Sequence, residues 1–547
     1  MKLKNQNCKN IFFKLTLLFF SVNITYLYSD WSSAVQISSG VSSVNPSGPY
    51  LSINTNSVAL VGWLDGPLSV AQTLSSSQWF PKSLSWTSPE FIYSNSDPGV
   101  FPVFPVIGED IFENQFAGFS ILDSITFEGI SINLSKRLPQ DNAWPALISQ
   151  SINSYIENGK FSIDCLGNVT SDLALTPTGA SPFNITITNF SKTSSSWLPQ
   201  ITIAQDNSVQ STLTSSAKLN IGYYVWKTNI PSIQLQTVSY NFLTNTYSTI
   251  STIPIPASTI EILGIDIGID SEGNMIVIYG TLFVGGTALY STTLLSGETT
   301  WSDPLLISDP LNNIESGSIA TDSSGSSTIL WAERRPDTLL FFKTTTLPLG
   351  GTPSSTTTLS PLGTAIDRAS EVKVDSFGNT VALWGITIGG SPSIQVSSKA
   401  LGEDWLPTET LSSSGLLPAI ALSDQGTAVA TWVDTLTSYV MGSRNLFLFT
   451  LAPPSNFLGQ IVKNEFLTES NYFLEMCWFS SLAPNIVDYK IYKNGNLIAT
   501  IPANCPTKFL HLLNCKNTKG TYTLIATASN GNTSAPIALE MRCKCNP

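Results

Sequence analysis

Histidine is almost missing from this 547-residue chain: His511 is its single copy. That excludes histidine-rich zinc sites and argues against a Ser-His-Asp hydrolase. Charge is scarce too, with Asp, Glu, Lys and Arg making up 12% of residues against 42% hydrophobic. The polar surface therefore comes from Ser, Thr and Asn, which suits pleated strands. Acidic residues outnumber basic ones 38 to 26, for a net charge of −12. Such a surface repels phosphate, so neither nucleic acid nor an anionic membrane surface is an expected partner. After the first thirty residues, no run is long and apolar enough to span a membrane. Helical periodicity is scarce as well. The glycine pairs at Ile388–Gly390 and Leu349–Gly351 lack the helix and Lys of a phosphate loop. No catalytic, cofactor or metal residue is assigned, and no cofactor is expected.

The N-terminus does carry an apolar run, Ile11 to Leu27, after a lysine-rich start and before small Ser29. Residues 1–29 read as a secretory signal peptide, with an uncleaved anchor as the alternative. The expected location is secreted, periplasmic or cell-surface. Disulfides are permitted there. Cys8 falls in the leader and Cys165 stands alone in the middle. The other five, Cys477, Cys505, Cys515, Cys543 and Cys545, gather near the C-terminus and are the disulfide candidates. Cys505 and Cys515 close a short loop and form the first candidate pair. The remaining connectivity stays open.

The stretch "VDSFGNTVALWG" (Val374–Gly385) recurs through the middle of the chain. In four copies a turn glycine (Gly273, Gly325, Gly378, Gly426) precedes an aromatic (Tyr279, Trp331, Trp384, Trp432) by six positions. Ser57 with Trp63 and Asn220 with Trp226 keep that offset, and Gly167 with Leu173 is a weaker copy. A second signal starts at 31, 86, 144, 197, 247, 301, 353 and 405, mostly on Trp and mostly followed by Ser seven places on. Successive starts lie 50 to 58 residues apart. Each unit holds about four short β-runs: one after the starting residue, two flanking the turn, one leading on. Four strands in about fifty residues is the spacing of a propeller blade.

The eighth unit, "WLPTETLSSSGLLPAIALSDQGTAVATW", resembles the blades of secreted bacterial β-propeller repeats. The resemblance spans 30–450 and implies an all-β ring of eight blades, with seven as the alternative. It also implies that Trp384 packs on an adjacent blade. After Pro453–Pro454 the pattern changes. Residues 451–547 alternate in strands with Asn494–Gly495 and Asn530–Gly531 at turns. Trp478, Tyr489, Tyr492 and Tyr522 give this part a resemblance to a fibronectin type III domain, which implies a β-sandwich. The cysteines depart from that family's usual pattern, so another Ig-like sandwich stays open.

Asp270, Asp322 and Asp375 stand in the same turn position, while Asp424 is one place off with Ser423 in the slot. A turn-forming role is expected of them all, since one Asp per separate turn cannot gather the oxygens calcium needs. "WAERRPD" (Trp331–Asp337) is the densest charge cluster of the middle and reads as a salt-linked turn at a blade edge, or else as a polar ligand contact. Sequons stand at Asn133, Asn168, Asn184, Asn189 and Asn532. The function expected is an exported non-enzymatic binding or scaffold protein whose propeller face contacts an extracellular or cell-surface protein or glycan. A carbohydrate-active propeller enzyme, hydrolase or lyase, and a structural surface component are the alternatives. The ligand-binding residues are unknown at this stage.

Overall fold

The computed structural model describes residues 31–542, except 39–48, 66–72, 95–98, 177–181, 192–194, 207–210, 446–453, 466–469, 482–485, 505–506, 514–518, 529–532 and a scatter of single and paired loop positions. The signal-peptide segment and Cys505, Cys515, Cys543 and Cys545 lie outside the described residues. Strands are the only regular elements among those described. They form a repeating all-β structure of propeller type.

The recurring turn sets the repeat. In the strand pair Glu261–Ile269 and Met275–Phe283, the Asp270 N–H donates to Asn274 O and the Gly273 N–H to Asp270 O. The same two bonds close the turns at Asn54, Asp110, Asp164, Asp322, Asp375 and Ser423. The fourth residue of each is left-handed: Ser57, Glu113, Gly167, Gly273, Gly325, Gly378 and Gly426 all have φ between 60° and 90°. Asn220 takes the equivalent place, with φ 54°. Glycine fits this turn at no steric cost. It also fits the neighbour: a Cβ on Gly325 would stand 2.8 Å from Asp270 Oδ2, and one on Gly378 would stand 3.0 Å from Asp322 Oδ2.

Sheets follow a common order. Asn313–Thr321, Ser327–Arg334, Leu340–Leu347 and Thr357–Thr358 lie side by side, as do Ala365–Val374, Thr380–Ile388, Ser391–Lys399 and Glu409–Ser412. The fourth strand follows the starting Trp or Pro, so it finishes the preceding sheet and does not open its own. This corrects the expected unit boundary by one strand. It has a topological consequence at the N-terminus, where Val35–Gln36 has no preceding sheet. It pairs instead with Val440–Asn445, in register Val35 to Gly442 and Gln36 to Met441. The units between Val100 and Trp197 share one sheet, because the long strand Ile148–Ile163 serves both, bending at two register shifts.

The first strand of each unit touches the next one. Contacts run from Tyr50–Ile53 to Val100–Glu109, Ile148–Ile163, Ser211–Ser216, Glu261–Ile269, Asn313–Thr321, Ala365–Val374 and Gly415–Leu422, which touches Tyr50–Ile53 again. Between these units sits the core. The aromatic six places after the left-handed residue is fully buried at Trp63, Phe119, Trp226, Tyr279, Trp331, Trp384 and Trp432. Trp384 packs on Phe342 of the preceding sheet, ring centroids 5.6 Å apart, as the resemblance implied. Three of these indole N–H groups find acceptors in their own unit: Trp63 donates to Asp65 Oδ2 at 2.8 Å, Trp331 to Glu333 Oε1 at 2.7 Å and Trp384 to Gln395 Oε1 at 3.1 Å.

Beyond Ser455, two sheets share one core. Ser455–Glu465, Ser470–Phe479 and Lys508–Leu513 make the first; Asn496–Pro502, Ile486–Lys493, Lys519–Ala528 and Ile537–Arg542 make the second. Leu474, Met476 and Trp478 from the first meet Tyr489, Ile491, Tyr522 and Leu524 from the second. Asn494 and Gly495 have φ 48° and 83°, as a two-residue hairpin turn requires.

Candidate functional site

The left-handed turns mark one end of the repeating units, and their polar groups are committed there. Asp270 Oδ1 accepts from the Glu272 and Asn274 N–H groups, and Oδ2 from Asn274 Nδ2 at 2.6 Å. Asp322 and Asp375 repeat the pattern with Ser324, Ser326 and Asn379. Turns are tied to one another as well. Ser271 Oγ donates to Ser323 O, and Ser323 Oγ to Ser376 O. Asp424 does not form its own turn; Ser423 does. Asp424 Oδ1 instead accepts from the Ser376 N–H at 2.8 Å, a tie between units that sequence reasoning assigned to turn formation. Ser57 and Ser423 close the series, Oγ to Oγ at 2.9 Å.

The opposite end is built differently. The first strand slips register near its start in six units: between Val103 and Val106, Ile156 and Asn158, Ile262 and Gly264, Ile314 and Ser316, Ile366 and Ser370, and Leu416 and Ala419. A bulge bends its strand and re-aims side chains. Two successive bulges, at Gly264 and Ser316, flank a cleft of about 210 Å³. Leu263, Gly264, Asp266, Tyr279, Glu315 and Ser316 are among its walls. A Cβ on Gly264 would meet nothing within 4 Å, so its backbone lies open to a ligand.

The ionisable groups of this cleft are held by the protein. Asp266 Oδ2 accepts from the Ile319 N–H of the next unit at 3.0 Å, and Oδ1 from Ile267 N–H at 2.9 Å. Burial pushes its carboxyl up from the usual range, against the pull of those two bonds. Glu371 holds the equivalent position two units on, and its Oε2 accepts from Ile420 N–H at 3.0 Å. Glu315 Oε1 pairs with Arg334 Nε at 2.5 Å. The Tyr279 hydroxyl donates to Pro254 O at 2.9 Å, and burial raises its ionisation far above that of a free phenol. The Ser316 hydroxyl meets the Ser370 hydroxyl of the next unit at 3.4 Å, so what remains for a ligand is exposed backbone and aliphatic surface.

The "WAERRPD" cluster is salt-linked internally. Glu333, fully buried, takes Trp331 Nε1 and Asn312 Nδ2 and pairs with Lys343 at 2.8 Å. Arg335 pairs with Asp337 at 3.2 Å. His511 stacks on Phe509 and meets the edge of Tyr522, and burial lowers its pKa. Cys477 is exposed and has no disulfide partner among the described residues. Asn133, Asn168 and Asn189 are buried and bonded within the fold, so those three sequons are inaccessible to glycosylation in the folded chain.

Comparison with protein families and with curated proteins finds no match. Among solved structures, the chain is similar to the Dos1 propeller, at 9% identity and TM-score 0.43 over 76% of this chain and 94% of that one. It is similar to the polysaccharide lyase Uly1, at 10% and 0.42 over 74% and 91%. An ulvan lyase bound to a glycan follows at 11% and 0.39, over 68% and 92%. Two polysaccharide lyases and the Dos1 propeller thus stand together, and these likenesses carry no choice of function.

Proposed function

We propose that this is an exported, non-enzymatic binding protein: a wheel of eight four-stranded blades, followed by a β-sandwich of fibronectin type III kind. Eight blades are supported by eight left-handed turn residues and by the circle of first strands. The sandwich is supported by the order of its two sheets and by buried Trp478, Tyr489 and Tyr522. The ligand is an extracellular or cell-surface glycan or protein, bound at the bulged end.

One observation carries this reading. The cleft between Gly264 and Ser316 offers open backbone, while its carboxylates are engaged by the protein's own amides and guanidinium. Catalysis needs an acid or base free to act on the substrate; binding needs shape and hydrogen-bonding groups. The same end presents the tips of the hairpins between second and third strands, where Ile125, Val284 and Leu436 are 83%, 90% and 84% exposed. Such tips suit contact with a partner surface.

A glycan array run with a hydrolase and lyase screen tests the proposal. Binding without turnover is expected, and Gly264→Trp, which fills the open backbone, abolishes it. Turnover that disappears when Asp266 or Glu315 is replaced contradicts the reading.

A further inference from the structure

At the end of the wheel that carries the left-handed turns, a small cavity of about 120 Å³ opens between the first two units. Asn54, Gln78, Glu109, Glu113, Gln115 and Arg137 line it. Glu109 and Gln115 are 8% and 4% exposed and hold each other, Gln115 Nε2 donating to Glu109 Oε1 at 2.9 Å. The other oxygens of this pair, Glu109 Oε2 and Gln115 Oε1, are buried and have no donor among the described residues. Native proteins rarely leave buried acceptors unmatched, and two in one cavity wall point to a ligand that brings donors.

The nearby cation does not supply them. Arg137 Nη1 pairs with Glu90 at 2.6 Å, and its Nε donates to Asp141 O at 3.2 Å. Glu113 Oε1 accepts from Asn56 Nδ2 at 2.8 Å. Burial first, and then the negative charges of Glu113 and Asp110, push the Glu109 carboxyl up to about 7. Apart from the Gln115 amide, no group among the described residues pairs with this carboxylate, so a bound cation would compensate its charge. The space is well under the roughly 300 Å³ at which drug-sized ligand pockets begin, which fits a head group and not a sugar ring.

We propose that this cavity binds a primary ammonium group on a flexible stem, as on a lysine side chain or a small alkylamine. Its three N–H donors match Glu109 Oε2, Gln115 Oε1 and the Glu113 carboxylate at the wall. Calcium is a poorer match, because it asks for six to eight oxygens and the cavity leaves few free.

The test is calorimetric titration of the full chain with n-butylamine, Nα-acetyl-lysine methylamide and n-butanol. Both amines are expected to saturate and butanol is not; the tighter amine tells whether the natural source is a free amine or a protein lysine. Glu109→Gln removes the charge at constant shape and is expected to weaken amine binding by about tenfold or more, the worth of a charge-assisted bond. Should that variant fail to fold, the native pH profile decides. The facing groups are Glu113 and Asp110 on the turn and Arg137, already paired with Glu90, on the next strand. Affinity is expected to fall as pH drops through about 7, where Glu109 takes up a proton. Absence of saturable amine binding, equal binding of butanol, undiminished binding by Glu109→Gln, a pH-independent affinity, or displacement of the amine by tighter-binding calcium would overturn the assignment.

Discussion

Single residues in this protein often answer to a neighbouring unit as much as to their own. Gly325 is left-handed at φ 84°, and a Cβ there would press on Asp270 Oδ2 at 2.8 Å and Leu349 Cδ2 at 3.0 Å. Gly426 has a similar φ of 75° but open space around it. Gly426→Ala should therefore cost only the backbone strain, about 1 kcal/mol, and Gly325→Ala about 2–3 kcal/mol, read from denaturant midpoints. Equal costs would remove the neighbour from the explanation. Glu109 gives a pH signature. Its folded pKa is raised from 4.5 to about 7, so the neutral form is the one the fold favours. The stability this contributes is full below about 4.5 and is lost as pH rises through about 7. The loss is on the order of 3 kcal/mol, and Glu109→Gln should abolish that slope.

At the scale of strands and turns, much of the fold was legible. Asp270, Gly273 and Tyr279 announce a hairpin because each residue type has one job: a carboxylate to accept amides, a missing Cβ, a large ring to bury. The second unit was hard to read for the same reason. Glu113 and Phe119 stand where glycine and tryptophan stand elsewhere, yet the turn at Asp110 is built alike. Sheet boundaries were misplaced by one strand, since a period in sequence does not say where along it the hydrogen bonding breaks. The candidate cleft left no sequence signal. Its bulges at Gly264 and Ser316 share no residue type, and Asp266 and Glu109 are single acids without a motif. Two predictions belong here. Trp384→Ala should cost about 3–5 kcal/mol, because the ring fills the joint with Phe342; a loss under about 1 kcal/mol in equilibrium unfolding would contradict that packing. Glu371→Ala should cost about 1 kcal/mol by uncapping the Ile420 N–H, with faster amide exchange at Ile420 and not at Ile319.

At the scale of the whole molecule, the proposed wheel depends on its first and last units meeting. Every unit takes its fourth strand from the residues that follow it, except the last, which takes Val35–Gln36 from the N-terminal side of the chain. That pairing, the Ile37 N–H to Val440 O bond at 2.8 Å and the Ser57–Ser423 contact tie the last unit to the first, as the proposed wheel requires. In the proposed wheel, closure gives each sheet two neighbours to pack on. It also fixes the spacing of the bulged strand ends on which the proposed binding surface rests. The most direct measurement is therefore a double substitution, Gln36→Cys with Met441→Cys, at directly opposed positions of that last pairing. Oxidised protein is predicted to carry an intramolecular 36–441 disulfide, seen by peptide mapping of the monomer, and to melt at higher temperature than its reduced form. Absence of that link in a folded monomer, or its formation only between chains, would contradict a closed wheel.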